Sequence, residues 1–345
     1  MKILHIADTH FQSSCSTLLE LKDERKELIY KTFKDVIKKE SINGYKVVLL
    51  AGDIFDKDVI SDYDITYFTN VINDNKDIEF FYLRGNHDLK NKENFKSLKN
   101  LHMFDSQLTT YETSDVRISG IELDKDNIDN FYDSINFSND KYNILMLHGD
   151  IDNEINLNKL KDKNINYLAL GHIHTFKEVE FDINSKYVYP GVFLGRGFDE
   201  CGAKGYVRLD TMDSSVTFVK SSENIIKEIT VDCNTCQNVN DLYKLILDKE
   251  ESNTNLILRI NLVGETKISN IDFVKNLSLL LDNNFNFVSI KDNTYPYINI
   301  DEIKDSKSFE GEFVREVLKT DNDQKTKQKI ISTGLKALRG MDIWK

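Results

Sequence analysis

The chain has 345 residues, 40% of them hydrophobic and 30% charged, with a formal net charge of −12. Such length and apolar content exclude a small disulfide-stapled scaffold and a disordered chain, and they predict a soluble globular protein of one large domain plus a smaller one. The acidic balance is not the usual footprint of a nucleic-acid binder, although bound divalent cations add local positive charge that the sum ignores, and basic residues gather at Lys90, Lys92, Lys96 and Lys99.

From the N-terminus, Lys2–Ala7 reads as a buried strand. The segment Glu24–Lys39 carries Leu28, Ile29, Phe33, Val36 and Ile37 at helical spacing. Lys46–Ala51 is a second apolar strand, and Asp64–Ile72 reads as a helix with Asp62 as its cap. Strands follow at Glu79–Leu83, Arg117–Leu123, Tyr142–Leu147, Tyr167–Leu170, Lys186–Tyr189 and Tyr206–Leu209. Strands alternating with helices, then a run of hairpin-like strands, predict a layered α/β architecture with a second sheet packed on the first.

Past residue 222 the texture changes to strand Ile225–Val231, helix Val239–Leu247, strand Leu256–Val263, helix Ile271–Leu281 and strand Phe285–Ile290. That series predicts a compact unit of its own, and the tail reads as two amphipathic helices, Glu312–Leu318 and Lys325–Leu338. The expected division is 1–221, 222–305 and 306–345. Cysteines at 15, 201, 233 and 236 suit a reducing cytoplasm. A lone Cys233-Asn-Thr-Cys236 pair cannot close a four-ligand zinc site, and it reads as two incidental cysteines in a strand-to-helix turn. No segment has the form of a signal peptide or approaches the ~20 apolar residues of a membrane span, so a cytoplasmic location is expected.

The informative residues stand where the first-domain strands end. Strand one runs into Asp8-Thr-His10, strand two into Gly52-Asp53-Ile-Phe-Asp56, and strand three into Gly85-Asn86-His87-Asp88. Later strands run into His148-Gly149 and Gly171-His172-Ile-His174. Ligands bind at the carboxyl ends of strands in α/β sheets, so each motif delivers side chains to a shared rim. Five of the seven histidines fall in these motifs. Of the other two, His5 reads as structural and His102 as a surface-loop residue. The mixed oxygen and nitrogen donors suit manganese, iron or zinc. Two such cations roughly 3.5–4 Å apart clamp both sides of an in-line displacement at phosphorus, with no protein nucleophile required.

The ordered set D-x-H, G-D-x-x-D, G-N-H-D, H-G and G-H-x-H resembles the calcineurin-like metallophosphoesterase superfamily. The resemblance implies a two-sheet metallophosphoesterase sandwich flanked by helices. It assigns Asp8, His10, Asp53 and His174 to one metal, and Asp53, Asn86, His148 and His172 to the other, with Asp53 bridging. It sets His87 over the scissile phosphate as acid or charge stabiliser, with Asp88 orienting His87 or contacting the site from behind the ligands, and Asp56 doing the same near the bridge.

The opening Met1–His10 and the segment Tyr189–Tyr206 are similar to SbcD-type and YhaO-type DNA repair exonucleases. That similarity implies a DNA substrate, two divalent metal ions with manganese expected, and a C-terminal α/β capping domain followed by a helical tail. It also implies an SMC-like ATPase partner engaging the C-terminal helices. There Ile330, Ile331, Leu335 and Leu338 form an apolar stripe with Trp344 near the end, although such a stripe more often packs on its own domain than on a partner. Such proteins also form homodimers. Arg196 and Lys204 are the candidates for meeting substrate phosphates, the alternative being a glycine-rich hairpin with solvated basic residues. A phosphodiesterase or phosphatase acting on a small nucleotide or phosphoprotein is the competing function.

Overall fold

The computed structural model describes the chain apart from residues 19, 57–59, 89–94, 96, 125–126, 269–271, 298 and 341–345, and apart from the side chains of 129, 296 and 325. Lys90, Lys92, Lys96 and Trp344 therefore lie outside the described residues, while Lys99 is exposed. Two compact units are present, Met1–Glu228 with Asn255–Leu258, and Ile229–Thr254 with Arg259–Lys345.

In the first unit, strands β1 (Lys2–Ile6), β2 (Val47–Ala51), β3 (Glu79–Leu83) and β4 (Leu101–Met103) run parallel. Helices α1 (Lys22–Ile42) and α2 (Asp62–Asp74) lie between them in the chain. A second sheet takes β5 (Thr109–Glu112), β6 (Val116–Gly120), β7 (Tyr142–His148), β8 (Tyr167–Gly171), β9 (Lys177–Asp182) and β10 (Ser185–Tyr189), with α3 (Ile128–Ser134) preceding β7. The chain then returns to the first sheet, where β11 (Gly205–Asp210) pairs antiparallel with β1, and β12 (Ser215–Lys220) with β11. The sheet orders are β12-β11-β1-β2-β3-β4 and β5-β6-β7-β8-β10-β9.

Period-two alternation explains the layers. Ile3, Leu49 and Phe81 meet Ile118, Ile144, Met146 and Val188 in the core between the sheets. On the other face of the first sheet, Leu4, Ile6, Val48 and Leu50 pack against Ile29, Phe33, Val36 and Ile37 of α1 and against Phe68, Val71 and Ile72 of α2. The second sheet turns Leu145, Leu147, Leu168 and Leu170 outward, into a cluster with Phe131 and Tyr132 of α3. The result is the two-sheet sandwich flanked by helices that the motifs implied. His5 follows the same alternation inward, where its Nδ1 lies 2.9 Å from the Tyr167 hydroxyl. Burial pushes its pKa down to about 3, so the ring is neutral and structural.

Two local expectations are corrected. Ser61, not Asp62, caps α2, because its Oγ accepts from the Asp64 N–H. His102 lies on the short strand β4, not on a loop; it stacks on Phe81 at 4.8 Å and pairs with Glu79 at 2.7 Å.

The second unit carries a sheet in the order β13-β14-β16, from β13 (Ile225–Asp232), β14 (Asn253–Val263) and β16 (Phe285–Asp292), with α4 (Val239–Lys249) and α5 (Phe273–Leu281) between them in sequence. A two-stranded ladder joins β15 (Glu265–Thr266) to β17 (Tyr295–Pro296). Cys233 and Cys236 are buried free thiols in the turn between β13 and α4. A short helix α6 (Ile300–Lys304) precedes the tail, which forms the two expected helices, α7 (Phe309–Leu318) and α8 (Gln324–Leu338). α6 has only five residues, too few for helical period to register in the sequence. The apolar stripe divides. Ile331 and Leu335 pack against Val314 and Val317, while Ile330 and Leu338 are exposed. Among the described residues, no helix is long and apolar enough to cross a membrane.

One buried charge ties α1 to the first sheet. The Glu40 carboxylate has no exposed surface and accepts from both the Arg208 guanidinium, at 2.6 and 3.0 Å, and the Tyr206 hydroxyl, at 2.7 Å. Burial alone would raise its pKa, but Arg208 and Tyr206 reverse that and hold it below the ordinary 4.5. Its contribution is therefore complete above pH 4.5 and is lost as pH falls through the lower folded value. Replacing Glu40 with Ala should cost about 2–3 kcal/mol at pH 7 by leaving that cation without its partner. Urea melts should show the gap from wild type closing below about pH 4.5; a gap independent of pH would mean the carboxylate's charge contributes nothing.

Candidate metal centre

The segments following β1, β2, β3, β7 and β8 meet at one rim because those strands end there in register. Backbone bonds lace the segments together. The Asp8 N–H donates to the Gly52 carbonyl and the His10 N–H to that of Asp53, each at 3.0 Å. The His172 N–H donates to both Asp8 oxygens, at 3.0 and 3.1 Å, and the His87 N–H to Asp53 Oδ1 at 2.9 Å. Asp8, His10, Asp53 and His172 have φ of 49, 50, 50 and 101°. Non-glycine residues there cost roughly 1–3 kcal/mol each and persist only where surrounding structure dictates them. Close approach also demands glycine at two points. A Cβ on Gly85 would stand 2.1 Å from Asp53 Oδ1, and one on Gly52 2.1 Å from His148 Nδ1.

Two groups of donors result. Asp8, His10 and His174 form one, and Asp53, His148 and His172 the other, with one donor atom per residue within 4.8 Å of its companions. Asn86 joins the second group, its Oδ1 3.1 Å from His148 Nε2, where Asp53 Oδ2 also approaches to 3.3 Å. Across the first, His10 Nε2 and His174 Nε2 face each other at 3.4 Å.

The outer ring nitrogens decide what the inner ones present. His10 Nδ1 lies 3.0 Å from Asp56 Oδ1, His174 Nδ1 2.9 Å from Glu200 Oε1, and His148 Nδ1 3.0 Å from the Ala51 carbonyl. Those oxygens only accept, so each Nδ1 carries a proton, and in the neutral ring Nε2 is left with a lone pair turned inward. Lone pairs converging with carboxylate oxygens make a site that fits a cation, and the carboxylate-histidine pairs behind it are the arrangement that fixes metal-ligating imidazoles. Burial keeps His10 below its ordinary pKa. Glu200 raises that of His174. Burial pulls His148 down, but Asp53 more than reverses this and sets it at about 9. Burial pushes Asp8 up to about 7. Protons on these groups are what bound cations would displace.

The remaining expected residues fall in different places. His87 is exposed, with its ring edge-on to that of His10 at 5.3 Å, so it stands over the first donor group. Asp88 is fully buried, and its carboxylate accepts from the Gly85 and Ile54 N–H groups and the Tyr82 hydroxyl. It thus pins the turn at 85–88 to the segment after β2 instead of orienting the His87 ring. Asp56 faces His10 and not the expected bridge. Arg196 grips Glu200 through Nε and Nη2 and reaches Asp56 with Nη1 at 3.1 Å. Lys204 donates to the His174 carbonyl at 3.0 Å. Arg196 thus holds the carboxylates behind His10 and His174, and Lys204 holds the His174 backbone, so both are engaged within the centre. Glu200, which the sequence reading left without a role, is the support of His174 and is almost wholly buried. Only its place in the segment after the last metal motif could have drawn attention to it.

A family model described as calcineurin-like phosphoesterase matches residues 1–176. The chain belongs to that family, whose members typically bind two divalent metals. No curated protein matches it. Among solved structures it is similar to the TT1561 protein of Thermus thermophilus, at 12% identity and TM-score 0.43, covering 64% of this chain and 99% of that one. It is also similar to a dimetal phosphatase from Danio rerio, at 10% identity and TM-score 0.44, covering 60% of this chain and 91% of that one.

If Glu200 fixes His174, replacing it with Gln should weaken binding of one of two manganese ions by about 10- to 100-fold and leave the other near its wild-type affinity. Titration calorimetry reads both sites; two unchanged affinities would remove Glu200 from the centre.

Proposed function

We propose that the chain is a two-metal DNA nuclease, working as an exonuclease, with manganese as the working ion. The observation that carries the chemistry is the pair of donor groups whose carboxylate oxygens, amide oxygen and imidazole nitrogens converge. Bound divalent cations supply the Lewis acidity that draws charge from a phosphoryl oxygen and acidifies water. Asp8, His10, Asp53 and His174 would hold one, and Asp53, Asn86, His148 and His172 the other. His87 stands over the centre on a backbone bond to Asp53, placed to give a proton to the leaving oxygen or to stabilise its charge. DNA as the substrate is supported by the likeness of Tyr189–Tyr206 to repair exonucleases and by the second compact unit that follows.

A phosphodiesterase or phosphatase acting on a small nucleotide or phosphoprotein is the second reading. The net charge of −12 favours it, as does the commitment of Arg196 and Lys204 to the centre itself. An SMC-like ATPase partner belongs to the nuclease reading. Of the described part of the apolar stripe, exposed Ile330 and Leu338 are left for it. Co-purification should be lost on deleting residues 306–345, and unchanged association would exclude the tail.

With manganese, the chain should cleave labelled single- or double-stranded DNA as well as bis-p-nitrophenyl phosphate, and a chelator should stop both. Turnover of the small diester without DNA cleavage, by the chain alone or with an ATPase partner, would give the second reading the field. Replacing His87 with Ala should lower kcat by about 10²- to 10⁴-fold while leaving two metals bound; loss of metal would make His87 a ligand instead.

A further inference from the structure

A cavity of about 590 Å³ opens beside the second donor group, reached past Asn86, His148 and His172. Three segments that end strands enclose it: residues 83–86 at the end of β3, residues 122–124 with Ile128 after β6, and residues 153–155 after β7. Its size is within the range of pockets that bury a small organic group. Leu83, Leu123, Ile128 and Ile155 give it an apolar wall, so it is shaped to take a ring or sugar out of water rather than only a solvated ion.

The charges around it are one-sided. Among the described lining residues the one Lys or Arg is Arg84, and Glu122 holds that guanidinium through two bonds of 2.6 Å, with Asp105 a further 3.7 Å away. Asp124 and Glu154 add carboxylates, and Asn153 an exposed amide. Beyond the ion that Asn86, His148 and His172 would hold, a phosphate entering here would meet carboxylates with no uncommitted Lys or Arg among the described lining, which is repulsive. A group that carries N–H and O–H donors would instead find acceptors at the rim and apolar surface at the wall.

We propose that this cavity is a subsite for a terminal nucleoside, the uncharged group esterified to the phosphate at the metal centre. The assignment rests on the phosphoesterase reading and sharpens it. A chain that continued through the cavity would have to put its next phosphodiester beside Asp124 and Glu154, with Arg84 already neutralised by Glu122. Only the end of a strand, or a dinucleoside monophosphate, meets the condition. Exclusion of the next phosphate is then a physical reason for cleavage from an end, and polyphosphate substrates are disfavoured for the same reason.

The test compares manganese-dependent kcat/KM on a dinucleoside monophosphate, on the same molecule with an added phosphate at its 5′ or its 3′ terminus, and on methyl p-nitrophenyl phosphate. One of the two terminal phosphates should lower kcat/KM at least tenfold. Leu123→Trp, which fills the cavity, should lower the ratio of dinucleoside to methyl-diester turnover at least tenfold. Asn153→Arg, at an exposed position, should relieve the penalty on the added phosphate. Saturable binding of thymidine to the metal-free protein, followed by NMR, should be lost in Leu123→Trp. Equal tolerance of both terminal phosphates, or a ratio that Leu123→Trp leaves unmoved, overturns the subsite. Thymidine binding without hydrolysis of any diester would uphold the subsite and sink the phosphoesterase reading. Absence of both overturns the two together.

Discussion

Two imidazole nitrogens, on His10 and His174, face each other across 3.4 Å with a lone pair on each. Acceptors do not attract acceptors, so something behind each ring must hold it there. Asp56 and Glu200 do so from the Nδ1 side, and Arg196 in turn holds both carboxylates. His148 differs: a backbone carbonyl fixes its outer nitrogen, and with its pKa raised to about 9 by Asp53 the inner one carries a proton toward Asp53 and Asn86 until a cation takes its place. Repulsion at the centre is thus balanced by pairing around it, and a cation in the middle would turn repulsion into attraction.

That balance makes demands on the fold well beyond the rim. Fully buried Asp8, with its pKa raised to about 7 by burial, needs the His172 N–H and a rigid backbone to keep it there. Four donor residues adopt left-handed backbone, which a floppy loop would relax. The segments resist because they leave the ends of parallel strands whose both faces are covered, one by the sandwich core and the other by helices or outer packing. Asp88 extends that rigidity across strands by tying the β3 turn to the segment after β2. Its burial and raised pKa, about 7, suit a positioning residue rather than an exposed acid.

The central strands were legible because covering both faces leaves near-continuous apolar runs, as in Val47–Ala51 and Tyr167–Gly171. Edge strands were not. β9 exposes most of its residues, and β4 has only three, so neither shows the alternation on which strand reading depends. The donor residues were legible because each motif directly follows an apolar strand. Their supports were harder to place, since Glu200 pairs with a histidine 26 positions earlier and nothing local marks a glutamate as buried. Arg196 and Lys204 were misplaced for a related reason. A basic residue in a glycine-rich segment looks the same in sequence whether it faces a phosphate or a carboxylate, and only the partner's position decides.

The acidic balance of the chain takes on a different meaning once these pairings are known. Asp8, Asp53, Asp56, Asp88 and Glu200 crowd one end of the sandwich, and Arg196 is engaged by two of them. The carboxylates among them that stay ionised disfavour a phosphate at the metal-free centre and draw divalent cations by the same field. The charge that discourages a phosphate is therefore the charge that draws metal ions to the centre. Net charge summed over side chains alone leaves out the two ions around which the family's chemistry is organised, and it cannot separate a DNA substrate from a small phosphoester. What can separate them is the shape and charge of the surfaces flanking the centre, where a second phosphate is either welcomed or turned away.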